Sequence, residues 1–367
     1  MRLLRPAAAT AAALTAVALT GGPASAATND PLYAKQYGPQ QVRAEQAWAT
    51  STGAGSVIAV IDSGVDLGHA DLAGKLVPGA TFVGCTTSCG NGDWKGPDGV
   101  GQPADAHGTH VSGIAAAATD NGVGIAGVAR DAKVMPIKVL ENGSGSFEDI
   151  ASGIRYAADN GADVINMSLG ATQGVQALVL TGIITDVQDA VTYAVGKGVA
   201  VIAAAGNDGV PLCAEPAFDA GVMCVAATDK REGPSAYSSG TIKPDLMAVS
   251  APGGSLLPVC GEDIVSTVPA GTGRSATCGY ADNYDEFAGT SMATPHVAGV
   301  AALLAAQGRT VANIYDTLMR TARTPGSLAR GVYTTEYGFG IVDAAAAVAA
   351  PGATVAPTTT KARGKKR

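Results

Sequence analysis

Charge is scarce in this chain. Only 15% of its 367 residues are Asp, Glu, Lys or Arg, against 47% hydrophobic residues, which excludes disorder by composition and permits a large buried core. Histidine is scarcer still, with His69, His107, His110 and His296 making up the whole set. Chemistry that needs a proton acceptor titrating near neutrality must draw on these four. Beyond the N-terminus no apolar run reaches the roughly 20 residues needed to cross a bilayer, so no membrane span is expected in the mature chain. A Pro/Ser-rich linker is also missing between about residues 56 and 348, where apolar strand-like runs alternate with Ala-rich helical runs. That pattern favours one large α/β domain.

The N-terminus carries Arg2 and Arg5, an apolar stretch over about residues 7–19, and Ala24-Ser25-Ala26. These features read as a secretory signal over residues 1–26, followed by a domain over 27–350 and a tail over 351–367. The alternative, a membrane anchor, has only about 14 apolar residues where roughly 20 are needed. In an exported chain the six cysteines fall into three local pairs, Cys85/Cys89, Cys213/Cys224 and Cys260/Cys278. Three disulfides are expected, with a zinc site or free thiols as the alternatives. The net charge of −7 is uneven. Without the two N-terminal arginines and the five basic residues of 361–367, 17 basic residues face 31 acidic ones. A domain of about −14 disfavours nucleic-acid binding. The Pro/Thr-rich, basic tail is expected to be disordered, either a solvated end or a weak tether to an anionic envelope.

Val57-Ile58-Ala59-Val60-Ile61 is a continuous apolar run, the pattern of a strand buried on both faces of a parallel sheet, and it ends in Asp62-Ser63-Gly64. A carboxylate there lies at the edge where open α/β sheets place their sites. Gly53 and Gly55 precede the strand, whereas a dinucleotide-binding loop would follow it. His107-Gly108-Thr109-His110 leads into a small-residue helical run; Gly108 leaves room beside His107, while His110, one turn on, faces the interior. His110 and His296 are read as structural. Gly289-Thr290-Ser291 precedes the apolar helical run of 297–306, whose N–H groups would favour negative charge near a nucleophilic Ser291.

Asp62-Ser63-Gly64, His107-Gly108-Thr109-His110 and Gly289-Thr290-Ser291-Met292-Ala293-Thr294-Pro295 resemble, in order, the three signature blocks of the subtilisin-like serine proteases. The resemblance covers about residues 29–348 and is nearest the thermitase-like branch, through Asn29-Asp30-Pro31 and Gln36-Tyr37-Gly38-Pro39. It implies a three-layer α/β fold with a mostly parallel central sheet flanked by helices. It implies Ser291 as nucleophile, His107 as base and Asp62 as its orienter. The run 199–205, a further buried strand, ends in Gly206-Asn207, and Asn207 matches the family's oxyanion-hole asparagine.

The resemblance also implies substrate strands at Gly143-Ser144-Gly145 and Ser168-Leu169-Gly170. Ala204, Gly206 and Gly170 would line the pocket for the residue preceding the scissile bond (P1), and Phe147, Ile150 and Leu169 the pocket for the fourth (P4). Broad specificity with apolar or aromatic preference at both positions is expected. Two departures stand out: the stretch 173–187 is longer than the thermitase-like pattern and would reshape the rim, and the loop over 212–225 falls where the family builds the P1 wall, which a Cys213/Cys224 disulfide would stiffen. A structural Ca²⁺ is implied on the side chains of Asp30, Asp71 and Asn121 and the carbonyls of Ala118, Val123 and Ile125, all hard oxygen ligands. A second cluster, Asp93, Asp98 and Asp105, is interrupted by the Cys85–Cys89 insertion and is not assigned. The mature-like start follows the signal segment directly, which leaves no room for a prosegment. The expected molecule is a secreted monomeric endopeptidase acting on proteins or peptides. A narrow-specificity envelope processing protease and an inactive binding module are the alternative readings.

Overall fold

The computed structural model describes residues 28–83, 95, 100–101, 105–172, 174–182, 185–273 and 276–352. The expected signal segment, the Cys85/Cys89 pair, Asp93, Asp98 and the basic end of the tail lie outside the described residues. The strands are β1 (Val57–Asp62), β2 (Ala80–Thr81), β3 (Lys133–Lys138), β4 (Val164–Met167), β5 (Ala200–Ala204), β6 (Val222–Thr228), β7 (Ala248–Pro252), β8 (Ile264–Thr267) and β9 (Tyr284–Phe287). The helices are α1 (Tyr37–Gln41), α2 (Ala44–Ala47), α3 (His107–Ala116), α4 (Phe147–Asp159), α5 (Val175–Leu180), α6 (Asp186–Gly196), α7 (Thr290–Ala305), α8 (Val311–Thr321) and α9 (Ala344–Ala349).

Seven strands form one sheet in the order β2-β3-β1-β4-β5-β6-β7, and every pairing within it is parallel. β8 and β9 make a separate antiparallel ribbon. The sheet is covered on both faces, which is why its strands read as unbroken apolar runs. Alternation assigns the faces. Ile58 and Val60 join a core with α3 and α7, whereas Ala59 and Ile61 join one with α4 and α6. The three-layer α/β architecture expected from the sequence is the one observed.

This alternation also aims the site. Asp62 continues the even-numbered side of β1 and so falls on the α3 face. From β1 the chain passes through α3 to β3 on one side, then returns through α4 to β4 on the other. A crevice therefore opens at the carboxyl end of β1 and β4, where doubly wound sheets bind ligands. α4 starts cleanly because the Ser146 hydroxyl accepts the Asp149 N–H at 3.0 Å and because Glu148 and Asp149 sit in its first turn, favourable to the helix dipole.

The helix after the Gly289 turn begins earlier than the sequence indicated. It starts at Thr290, so Ser291 is its second residue and not a loop residue in front of it. Every residue of α7 except Ser291 and Ala305 is buried. Small side chains permit this, since the helix must pass between α3 and the strands β4 to β7.

Candidate active site

Asp62 ends β1 fully buried, with Oδ1 accepting the Ser63 N–H at 2.7 Å and facing His107 Nδ1 at 2.8 Å. With Asp62 ionised, Nδ1 carries the imidazole proton and Nε2 is left as an acceptor. The approach depends on Gly108. A Cβ at that position would stand 2.1 Å from the Gly64 carbonyl oxygen and 3.2 Å from Asp62 Oδ1, so no larger residue lets α3 abut the loop after β1. The Gly108 N–H donates to Ser63 Oγ at 3.2 Å and the Asp66 N–H to Thr109 Oγ1 at 2.9 Å, which fastens the two elements together.

His107 differs from the other three histidines. Its side chain is 31% exposed, toward the cleft. Burial pushes its pKa down, but the Asp62 charge, the hydrogen bond to Asp62 and the Asp105 charge outweigh this and raise it above the ordinary value. Asp105 also accepts the His107 N–H at 2.9 Å. His110 and His296 are fully buried, and burial drives them down to about 3 and about 4. His110 stacks on Phe287 at 4.3 Å. His69 is spent on structure: Nδ1 accepts the Asp71 N–H at 3.1 Å and Nε2 lies 3.0 Å from the Asn283 carbonyl.

Ser291 is held by a reciprocal pair of bonds to the end of β4. Its Oγ donates to the Ser168 carbonyl at 3.1 Å, and Ser168 Oγ donates to the Ser291 carbonyl at 2.7 Å. The second bond has a cause in the sequence. Pro295 stands four residues after Ser291 and has no N–H, so the Ser291 carbonyl lacks its helical donor. The Ser168 hydroxyl supplies the missing bond, and Asn166 Nδ2 in turn donates to Ser168 Oγ at 3.0 Å.

Asn207 is fixed by Thr290. Its Oδ1 accepts both the Thr290 N–H at 2.9 Å and the Thr290 hydroxyl at 3.0 Å, which settles the amide orientation and leaves Nδ2 facing outward. A Cβ on Gly289 would lie 3.5 Å from Asn207 Nδ2 and 3.6 Å from the Ser291 nitrogen. The bare glycine, at φ +154°, thus leaves a small space flanked by two N–H donors.

A cleft of about 630 Å³ runs past Asp62 and His107, with Gly143, Ser144 and Gly145 on one wall and Ser168, Leu169 and Gly170 on the other. Phe147 and Ile150, from α4, line it farther along, as do Val175 and Val187 from the 173–187 insertion. Ala204 and Gly206 are not among its lining residues. Ala204 is buried, and Gly206 abuts the Ala214 methyl and Ser239 behind the wall, its N–H donating to Thr290 Oγ1 at 3.2 Å. Disulfides join Cys213 to Cys224 and Cys260 to Cys278, two of the three pairs expected.

The loop over 118–125 wraps Asp30 and Asp71, and among the described residues no three His, Cys, Asp or Glu side chains come together as a metal-holding group. Asp71 Oδ2 accepts the Ile125 N–H at 2.8 Å, and Asn121 Nδ2 reaches Asp71 Oδ1 at 2.8 Å. Asp30 accepts the Asp120 and Asn121 N–H groups at 3.0 and 3.2 Å. Val123 and Ala118 belong to the same loop, with Asn121 Oδ1 accepting the Val123 N–H at 2.8 Å.

The Subtilase family model matches residues 53–340. The chain belongs to the subtilase family. It is 43% identical to thermitase from Thermoactinomyces vulgaris over 296 residues, which covers 80% of this chain and 91% of that one. To the thermophilic serine proteinase from Bacillus sp. (strain AK1) it is 41% identical over 297 residues, spanning 80% of this chain and 63% of the relative. A solved protease structure from Pseudoalteromonas arctica PAMC 21717 superposes with a TM-score of 0.72 at 35% identity, covering 88% of this chain and 98% of that one. The enzyme class follows: this subtilase is a serine endopeptidase, a hydrolase of the subtilisin type.

Residues that sequence reasoning passed over complete the site. Thr290, Asn166 and the Ser168 hydroxyl fix the positions of Asn207 and Ser291. Asp105 biases His107, although the sequence considered it only as part of a metal cluster. Glu215 and Pro216 line the cleft on the far side from His107. Pro295 was the signal for the Ser168 bond, since a proline inside a helix leaves a carbonyl to be satisfied from outside.

Proposed function

We propose that this subtilase is a secreted, calcium-stabilised endopeptidase of broad specificity, in which Ser291 is the nucleophile, His107 the general base, Asp62 its orienter and Asn207 an oxyanion donor. The observation that carries the reading is the Asp62–His107 contact at 2.8 Å together with the two donors converging beside Gly289. To act as nucleophile, the Ser291 hydroxyl leaves the Ser168 carbonyl that it meets at 3.1 Å and donates to His107 Nε2 instead. Attack on the scissile carbonyl then passes the hydroxyl proton to His107, and the developing oxyanion enters the space beside Gly289. Asn207 Nδ2 and the Ser291 N–H are in place there before charge appears, so no reorganisation is needed at the moment of reaction. His107 returns the proton to the leaving amine, and water hydrolyses the acyl-enzyme by the same route.

An extended peptide pairs with Gly143–Gly145 on one side and Ser168–Gly170 on the other. Leu169, Gly170 and Ala171 favour an apolar or aromatic residue at P1. Tetrapeptide substrates with Phe or Leu there are expected to turn over faster than those with Lys or Asp.

The 118–125 loop fits a calcium ion. Asp30 and Asp71 are both buried, no Lys or Arg among the described residues pairs with either, and burial pushes the Asp71 carboxyl up. Two desolvated carboxylates without a cation are the donor chemistry of a hard-metal site. The side chains of Asp30, Asp71 and Asn121 and the carbonyls of Ala118, Val123 and Ile125 would hold the ion, with the Asn121 amide turned to present oxygen. A bound calcium would neutralise the two acids and tie the N-terminal segment to the loop after α3. Secretion is supported by the signal-like N-terminus and by the two disulfides. The molecule is proposed to act as a monomer on protein or peptide substrates, with its basic tail touching anionic envelope surfaces.

The deciding experiment compares hydrolysis of casein and of a chromogenic peptide by the wild type and Ser291→Ala, with and without a serine-directed inhibitor. Equal activity in the two proteins would sink the mechanism.

A further inference from the structure

We propose that Glu215 makes the subsite beside Phe147 and Ile150 selective for a cationic side chain, arginine first and lysine second, at the fourth substrate residue before the scissile bond. The inference rests on the endopeptidase reading above and departs from the apolar P4 pocket expected of the sequence.

Glu215 is 2% exposed, and among the described residues no backbone N–H or cationic side chain donates to Oε1 or Oε2, whose one side-chain hydrogen-bonding partner is the neighbouring carboxyl of Asp219. Its neighbour is a second buried acid, Asp219, whose Oδ1 is likewise without a donor. The nearby ammonium of Lys243 lowers both acids through its charge but hydrogen-bonds neither carboxyl. Its three N–H donors are taken by the Asp219 carbonyl at 2.7 Å, the Val222 carbonyl and Asp245 Oδ1 at 3.1 Å. Burial, then the Asp219 charge, pushes Glu215 up to about 8, and burial takes Asp219 to about 6, so the pair holds a proton near neutrality for want of a cation.

The position of Glu215 turns this local deficit toward the substrate. Its carbonyl accepts the Ala171 N–H at 2.8 Å, which builds the residue into the cleft wall next to Gly170. Phe147, Val187, Glu215 and Pro216 line both the cleft and a smaller cavity behind it that also reaches Asp219. The Phe147 ring therefore stands at the partition. Acids line this cleft at Asp62, Asp105 and Glu215, and no Lys or Arg among the described residues lines it. An arginine side chain fits that arrangement. Its methylene stem packs on Phe147, Ile150 and Val187, the ring swings aside, and the planar guanidinium meets the Glu215 carboxylate with two parallel N–H donors. Lysine offers the same charge without the fork. The proton held by the acid pair leaves to solvent as the cation enters.

The test is a series of tetrapeptide p-nitroanilides, X-Ala-Ala-Phe, with X as Arg, Lys, Leu or Glu, assayed on the wild type, Glu215→Gln and Asp105→Asn. Wild type is expected to favour Arg over Leu in kcat/KM by about tenfold, the scale of one charge-assisted pair, with Glu slowest. Glu215→Gln is expected to bring the Arg-to-Leu ratio to within about twofold, and Asp105→Asn to retain it. The ratio is taken within one protein, so a general loss of folding or rate cancels. The wild-type series also stands without either variant. The inference is overturned by a wild type that cleaves Leu as fast as Arg, by a ratio that survives Glu215→Gln, or by one that disappears in Asp105→Asn. Cleavage of the Leu peptide without an Arg preference leaves the endopeptidase reading standing, whereas loss of cleavage of every peptide in the wild type refutes that reading instead.

Discussion

The amide of Asn207 holds Thr290 and, in the function proposed above, also donates to the oxyanion, and substitution can separate the two. Asn207→Ala removes Nδ2 from the space beside Gly289 and also strips Thr290 of its acceptor. Loss of the donor is expected to cost about 2.7–4 kcal/mol of transition-state stabilisation, a magnitude known for the corresponding donor in subtilisin itself, or about 10²–10³ in kcat. The Ser291 N–H remains, so activity should stay above the Ser291→Ala background. Loss of the acceptor leaves the buried N–H and the hydroxyl proton of Thr290 without the acceptor they share, at about 1–3 kcal/mol of fold stability. Asn207→Asp keeps Oδ1 for Thr290 but points a carboxylate oxygen at the developing oxyanion. Its melting temperature should stay near that of the wild type, while its kcat falls at least as far as that of the alanine variant. Steady-state hydrolysis of a chromogenic peptide gives kcat and KM, and thermal melts give the stability arm. A fall in kcat of less than about tenfold in Asn207→Ala, or a loss carried by KM alone, would refute the assignment of Nδ2 as a transition-state donor.

Other expectations follow from the same geometry. Asp105 raises the His107 pKa, and His107 must be neutral to act as base; Asp105→Asn should therefore move the acid limb of the kcat/KM profile to lower pH, and an unmoved or raised limb contradicts the coupling. Gly108→Ala puts a methyl 2.1 Å from the Gly64 carbonyl oxygen, so α3 must back away from β1. A stability loss of about 1–3 kcal/mol with a fall in kcat is expected in melts and peptide assays, and wild-type values in both would show that the contact yields cheaply. Chelation should lower the melting temperature of the wild type on the order of 5 °C if calcium is held at about 100 times its Kd beforehand. Asp71→Asn should blunt that response, and an equal response in both proteins would place the ion elsewhere.

What was legible in the sequence was whatever depends on one segment at a time. The run before Asp62 announced a strand buried on both faces, and four histidines left few choices for a base. The glycines beside His107 and Ser291 marked places where backbones come close. What was missed depends on two segments meeting. The sequence put Ser291 ahead of a helical run over 297–306; α7 begins at Thr290 and carries the proline inside, since Ser168, just past β4, satisfies the carbonyl that Pro295 leaves bare. Glu215 was invisible for the same reason, because an acid in a cysteine-bounded loop reads as a surface residue until α4 and α6 are folded over it.

The burial of α7 bears on how long this enzyme survives among copies of itself. A protease's nearest substrate is another molecule of the same protease, and attack requires a stretch of chain drawn out into an extended form. Ser291, the proposed nucleophile, is carried on a helix enclosed by the sheet and α3, so that helix cannot unravel without opening the central core. Nicks are expected first at peripheral segments such as α5, whose Leu178 and Leu180 are exposed, and a nicked molecule can keep an intact catalytic centre. Self-digestion should then erode the rim, and with it substrate selectivity, before it ends activity.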